Sequence, residues 1–263
     1  MFNLLFFEKK IKIVKRVWGL SLQLAKAQFK LRNEGSYLGV FWYLLNPLLM
    51  FSLLFLIFAQ RLGTNIPNYS VYLLIGIVMF NFFQGATIEA TRSIIAENAV
   101  LIKSINFPRE SLILGIVIKN LFSHFFEIIM ISFILIYFNI SFFGIIGYFF
   151  ILIFFCIFVF GFSLTLSALT VYISDVENIW NFGVRLVWFG TPIFYAIEGQ
   201  TKLFYLNLLN PMFYFITIAR DILIYNQVPE TYLIMGVIFY SFLFLGAGLF
   251  VFEKLKYKFA ELI

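Results

Sequence analysis

Residues 128–174 run for 47 positions without one Asp, Glu, Lys or Arg. A helix needs roughly 20 mostly apolar residues to cross a hydrocarbon core of ~30 Å, so this run is long enough for two crossings. Residues 35–60, 62–88 and 231–252 are also uncharged. Strands of a membrane barrel alternate lipid-facing and lumen-facing residues, and unbroken apolar runs lack that alternation. Hydrophobic residues make up 62 % of the chain, against roughly 45–50 % for soluble domains. Together these exclude a soluble domain, a disordered chain and a barrel. They predict an all-α polytopic membrane protein.

Six transmembrane helices are expected, at about residues 40–59, 69–88, 111–138, 145–172, 178–197 and 232–252. Arg185 interrupts the fifth, and Pro192 can kink it. Residues 203–219 are apolar but only 17 long, with Asn207, Asn210 and Pro211 near the middle. They read as an extracytoplasmic re-entrant helical hairpin before the last span, within residues 198–230. Membrane proteins tolerate such a turn only where protein or water satisfies it. Basic residues collect on the cytoplasmic side. With both termini cytoplasmic, Lys and Arg divide 14 inside against 3 outside. Residues 1–7 are too short an apolar run for a secretory signal and lack a preceding basic residue.

Residues 1–32 carry eight positive charges and one negative. At helical spacing Ile11, Val14, Trp18, Leu22, Ala25 and Phe29 form one stripe, beside an arc holding Lys9, Lys12, Lys15, Arg16, Lys26 and Lys30. Residues 1–34 are therefore expected to be an amphipathic interface helix. Lys12, Lys15 and Arg16 would lie on anionic lipid and Trp18 at headgroup level. Residues 35–263 form the membrane domain.

The lone Cys156 excludes an intramolecular disulfide and a cysteine-cluster metal site. No G-x-x-x-x-G-K-[ST] loop is present, so the chain should not hydrolyse ATP by a Walker site. No catalytic or metal-binding residues are expected. His124 and Glu127, at i and i+3, read as a satisfied buried pair. Lys119, Glu127, Arg185 and Glu89 are the ionisable groups inside or beside spans, where such groups are functional candidates. On the fifth span Asn181, Arg185, Trp188, Pro192 and Tyr195 fall on one helical face, a polar and aromatic stripe that could line a conduit. The first span opens similarly, with Tyr37, Phe41, Trp42 and Tyr43.

Four stretches then resemble type-2 ABC exporter permeases for polysaccharides, nearest the O-antigen group. Gly35-Ser-Tyr-Leu-Gly precedes Trp42 and Asn46-Pro-Leu. Tyr72-Leu-Leu-Ile-Gly is followed by Glu97-Asn, Leu101-Ile-Lys and Phe107-Pro-Arg-Glu. Asp175-Val precedes Thr191-Pro-Ile-Phe-Tyr. Asn210-Pro-Met lies seven residues before Arg220. The likeness covers about residues 25–255. The family usually has Arg before the Asp of the second cytoplasmic loop, and Ser174 stands there instead, so no salt bridge is carried over.

The resemblance implies a homodimer with two copies of a separate nucleotide-binding ATPase subunit, which binds the Mg-ATP. This chain would hold no cofactor and bind no nucleic acid. Residues 92–110 would be the cytoplasmic coupling region, with Glu97, Asn98, Lys103 and Arg109 as polar contacts and Ile94, Ile95 and Leu101 as apolar ones. Asn210, Pro211 and Arg220 would belong to the extracytoplasmic gate. Aromatic residues of the first and fifth spans would line a channel between protomers. The implied substrate is a polyprenyl-pyrophosphate-linked polysaccharide, and the implied location is the inner membrane. The alternatives are a type-2 ABC exporter of small lipids or drugs, then a secondary transporter. The latter would need an inverted repeat and a midplane ion site. A membrane transferase would need clustered acids, and Asp175 with Glu177 is the only close pair.

Overall fold

The computed structural model describes residues 2–63, 65–141, 143–197 and 201–262, and all regular structure among them is helical. The helices are α1 (Phe2–Asn33), α2 (Trp42–Phe58), α3 (Tyr69–Arg92), α4 (Ala99–Ser104), α5 (Glu110–Tyr137), α6 (Gly144–Tyr172), α7 (Val176–Gly190), α8 (Lys202–Asn207), α9 (Pro211–Leu223), α10 (Thr231–Leu255) and α11 (Phe259–Leu262). Among the described residues, five stretches are long and apolar enough to cross a membrane: Gly39–Phe58, Tyr69–Ile95, Glu110–Tyr137, Gly144–Tyr172 and Thr231–Lys258. With its family placement given below, this is a multi-pass membrane protein.

The expected fifth span differs from the observed helix. α7 has 15 residues and rises only about 22 Å. Pro192 has no N–H to continue the ladder, and it pushes the residue before it toward extended backbone. Thr191 accordingly has φ −90° and ψ 139°. The chain continues as non-helical backbone through Ile197. Tyr195 therefore lies off the helix, and the predicted stripe ends at Trp188. Residues 198–200 of the expected hairpin lie outside the described residues.

α3 is the axis of the fold. Every residue from Val71 to Phe80 is buried, as expected of a helix that is apolar all round and packed on every side. Helices α2, α5, α6, α7 and α9 pack against it. The closest helix pair is α6 with α10. Gly161 and Gly248 face one another there, and a Cβ on Gly248 would strike the Gly161 carbonyl. The missing side chains allow the two backbones to meet.

Helix α1 lies along α5. Its buried positions include Ser21 and Ala25, opposite Gly115, where a Cβ would sit 3.3 Å from Leu24 Cβ and from the Ser21 carbonyl. The predicted stripe is only partly the packed one. Ala25 is buried, whereas Val14 and Trp18 stay exposed beside exposed Lys12, Lys15 and Arg16.

Candidate functional site

A groove of about 360 Å³ opens between α2, α3 and α7. Arg185 and Trp188 reach it from α7, Asn81 and Gln84 from α3, and Met50 from α2. The Trp188 ring stands edge-on to Phe80 at 4.9 Å, which fixes its plane. Asn81 and Gln84 were missed in the sequence because they sit inside an apolar run that marks them only as membrane-embedded. Their spacing, i and i+3, was the available signal. The groove opens beside exposed Phe182, Leu186 and Phe189 of α7, and exposed Leu49 and Leu53 of α2.

The aromatic residues of the first span divide. Tyr37, Phe41 and Trp42 are exposed. Tyr43 is buried on the other side of α2, with its ring against Phe29 at 5.6 Å and Phe126 at 6.2 Å. Asn181, half-buried on α7, is not among the groove's lining residues. Tyr195 turns back on the end of α7, its hydroxyl 3.2 Å from the Phe189 and Gly190 carbonyls.

Beyond α7, four consecutive carbonyls are satisfied by side chains rather than by a helix. The buried Arg220 guanidinium donates to Pro192 O at 2.6 Å, Ile193 O at 2.8 Å and Tyr72 O at 3.1 Å. Tyr69 and Tyr72 hydroxyls donate to Phe194 O and Tyr195 O at 2.8 and 2.9 Å. Arg220 also lies 3.4 Å over the Tyr72 ring. Gly76, one turn on, leaves room: a Cβ there would sit 2.6 Å from Arg220 Nη2. Asn210 caps α9 by accepting from Met212 N at 3.0 Å, ahead of Pro211, and donates to Thr191 Oγ1 at 2.8 Å. Three stretches singled out in the sequence, around Tyr72, Thr191 and Asn210, thus meet at one place. Arg220, expected at a gate, is a buried brace here.

At the other end of α3 the helix widens into a π-helical turn, Ser93–Glu97, before α4. Asn98 stabilises the turn by donating to Ser93 O at 2.7 Å. Ile94 is buried, and Ile95 and Leu101 pack against the core. The apolar surface of this segment is instead Val100 and Ile105, with exposed Glu97 and Lys103 beside them. Partial desolvation of the carboxyl, although the residue as a whole is exposed, pushes Glu97 above its ordinary value. Glu89 adds to the shift, and Lys119 and Arg92 oppose it. Arg109 faces inward: its guanidinium donates to the Lys256 carbonyl and lies 5.7 Å over the Phe259 ring. Lys256 pairs with Glu110 at 2.6 Å, tying the C-terminal segment to the start of α5. His124 is satisfied, with Glu127 at 2.8 Å and the Tyr148 hydroxyl at 2.7 Å.

The sequence pattern of the ABC-2 type transporter family matches residues 20–224. The chain belongs to the ABC-2 type transporter family. It is 30 % identical over 251 residues to an O-antigen export system permease protein RfbA of Klebsiella pneumoniae, covering 94 % of this chain and 96 % of that protein. It is also 25 % identical over 260 residues to a Myxococcus xanthus protein of the same name, covering 96 % of this chain and all of the relative. The family match takes in the Ser93–Glu97 turn, the groove and the Arg220 brace, and ends at Ile224, one residue past α9.

Proposed function

We propose that this chain is the membrane subunit of an ABC exporter. Its substrate would be a polysaccharide of the O-antigen kind on a polyprenyl-pyrophosphate lipid, moved across the cytoplasmic membrane. The observation that carries the reading is the groove between α2, α3 and α7, with its amide, arginine and indole groups. Amides exchange hydrogen bonds with hydroxyls, and aromatic faces stack on the apolar C–H faces of sugar rings. Contacts that are weak and repeated suit conduction, because a tight site would stall the polymer. The names of the relatives support the same substrate class.

In this reading α7 with the non-helical residues 191–197 makes a sixth crossing. α8 and α9 form the re-entrant hairpin. Helix α9, at 13 residues, rises about 20 Å and is too short to cross. The exposed faces of α2 and α7 meet a second copy and close the groove into a channel lined by Phe41, Trp42, Arg185 and Trp188. The substrate's charged headgroup enters beside the basic α1, whose Lys12, Lys15, Arg16 and Trp18 sit on the anionic inner leaflet. Both termini are then cytoplasmic. Two ATPase subunits dock on α4 through Val100, Lys103, Ile105 and Glu97. ATP binding moves α4, and α3 carries the movement to α7.

The test is to co-purify the chain with the nucleotide-binding protein encoded beside it and follow ATP hydrolysis with and without lipid-linked glycan. Glycan is expected to stimulate hydrolysis severalfold. Lys103→Ala is expected to abolish most of that stimulation while leaving thermal stability unchanged, because its side chain is exposed. A chain that binds no ATPase subunit overturns the exporter reading. Equal transport of a lipid without glycan turns it toward the small-lipid class.

A further inference from the structure

The walls of the groove between α2, α3 and α7 carry one charge. Arg185 lines it together with Asn81, Gln84 and Trp188, and among the described residues no Asp or Glu does so. The rest of the lining is apolar: Met50, Val184 and Phe189. Arg185 lies well along α7. Glu177 stands eight residues before it, about 12 Å down the axis. That end of the helix meets Arg92, at 2.6 Å from Glu177. Arg185 is exposed, and so are Phe182, Leu186 and Phe189 around it, so the cation opens from an apolar face.

The chain supplies this cation with no counter-charge. Among the described residues Arg185 forms no ion pair and no hydrogen bond. The two other walls offer none, because residues 35–60 and 62–88 contain no Asp or Glu. The carboxylates beyond them are already paired, Glu89 with Lys119 at 2.5 Å and Arg32 at 3.8 Å, and Glu177 with Arg92. Asp175 is ten residues back along the chain, about 15 Å away along the axis. An ionised side chain inside a membrane is costly unless it faces another charge or a water-filled path. Where a second copy covers the groove, as proposed above, its own Arg185 adds a like charge, and its α2 and α3 add no carboxylate. Two cations then face one conduit, and an anion passing through it is the group that can offset them.

We propose that Arg185 is a specificity-determining residue, and that the exported glycan is anionic, with a carboxylate or a phosphodiester in its repeating unit. The proposal rests on the polysaccharide reading above and narrows its substrate class. The groups of the groove divide the recognition. Trp188, less than one turn beyond Arg185, offers an aromatic surface to a sugar ring. Asn81 and Gln84 exchange hydrogen bonds with hydroxyls. The planar guanidinium takes two oxygens of a carboxylate or phosphate at once. One cation per copy holds each unit weakly, so the unit can be passed on, and rings of Arg or Lys select anions in other pores by the same means. The pyrophosphate of the lipid carrier shares this chemistry. It passes once per polymer, however, whereas Arg185 stands among groups met by every unit.

The first arm of the test is chemical. The lipid-linked polymer that accumulates when this chain is depleted is extracted, and its repeating unit is analysed. A uronic acid or other carboxylate, or a phosphodiester, is expected, and the composition tells the two apart. A neutral repeat overturns the proposal and leaves the exporter reading standing. If no lipid-linked glycan accumulates, both fall. The second arm assigns the role to Arg185. The chain is held with its ATPase subunit in lipid nanodiscs, and soluble probes compete with the polymer for stimulation of ATP hydrolysis. Hexagalacturonate should compete at about tenfold lower concentration than neutral maltohexaose, the value of one charge-assisted hydrogen bond. Arg185→Gln should bring that ratio close to one. Arg185→Lys should keep most of it, and raising the salt to about 0.5 M should shrink it in the wild type. A wild-type ratio near one, or an unchanged ratio in Arg185→Gln, overturns the proposal. If Arg185→Gln instead alters competition by inorganic pyrophosphate and leaves hexagalacturonate unaffected, Arg185 holds the carrier headgroup and the polymer assignment is overturned.

Discussion

Arg220→Met is expected to lower the folded yield sharply and to drop the thermal midpoint in detergent by on the order of 10 °C. The side chain is 3 % exposed and holds three carbonyls on two separate segments. Methionine fills much of the volume but supplies no donor. Hydrogen bonds to a charged group are worth about 1.5–3 kcal/mol each, and the orphaned carbonyls of Pro192, Ile193 and Tyr72 then have no water to turn to. Removing the buried charge returns part of that loss, which leaves on the order of 3–5 kcal/mol. For a chain of this size, 1 kcal/mol moves the midpoint by about 2–4 °C. Arg220→Lys should recover little, because an ammonium cannot span the fork of carbonyls that a planar guanidinium reaches. Ile193, fully buried, gives a second readout. A cysteine placed there in a Cys156→Ser chain should react slowly with a maleimide, and quickly once Arg220 is also replaced. An unchanged midpoint and unchanged labelling would remove Arg220 from its role as a brace.

Gly248→Val is expected to be at least as damaging. At the crossing of α6 and α10 a Cβ on Gly248 would collide with the Gly161 carbonyl, and one on Gly161 with the Phe244 carbonyl and the Leu245 nitrogen. These are backbone atoms in the middle of two long helices, so no side chain can swing away. The helices must separate, and with them the contact that anchors α10 to the fold. Membrane helices associate largely through close packing, since lipid offers apolar side chains the same environment. The expected result is loss of the monodisperse peak in size-exclusion chromatography. Gly246→Val, two residues away with open space around its Cβ position, should elute normally and serves as the control. Equal behaviour of the two variants would mean that α6 and α10 do not pack at this crossing.

Much of the architecture could be read from the chain because the constraint is so strong. Uncharged runs of the right length placed the five long helices to within a few residues. Asn210-Pro211, expected only to break the 203–219 run, instead starts α9, since Asn is a good cap and Pro suits the first helical turn. The end of α7 was also legible in principle. Thr191-Pro192 disfavours helix at Thr191, and that local rule outweighs the apolar run that suggested a continuous span.

The site was less legible because facing depends on neighbours. Trp42 and Tyr43 are adjacent in a helix and so point about 100° apart. Trp42 is exposed, whereas Tyr43 is buried. The packed face of α1 was obscured by a search for large apolar residues. The contact with α5 is made by Ser21 and Ala25 against Gly115, where smallness matters more than hydrophobicity. The segment around α4 shows a third limit. Its inward residues Ile94 and Leu101 and its outward ones Val100 and Ile105 are chemically alike, and only the π-helical turn before α4 decides between them. Arg220 gave no sign of its brace, because a sequence does not show which arginine finds three carbonyls.

The segment after α7 carries a consequence for how the protein is made. Its carbonyls at 192–195 are satisfied by Tyr69 and Tyr72, which the ribosome delivers earlier, and by Arg220, which it delivers later. Until α9 emerges, the Pro192 and Ile193 carbonyls have no partner from this brace, and hydrocarbon offers them none. The order of synthesis therefore differs from the order of bracing: the carbonyls of residues 192 and 193 are satisfied retroactively, by a side chain that follows them by more than two dozen residues.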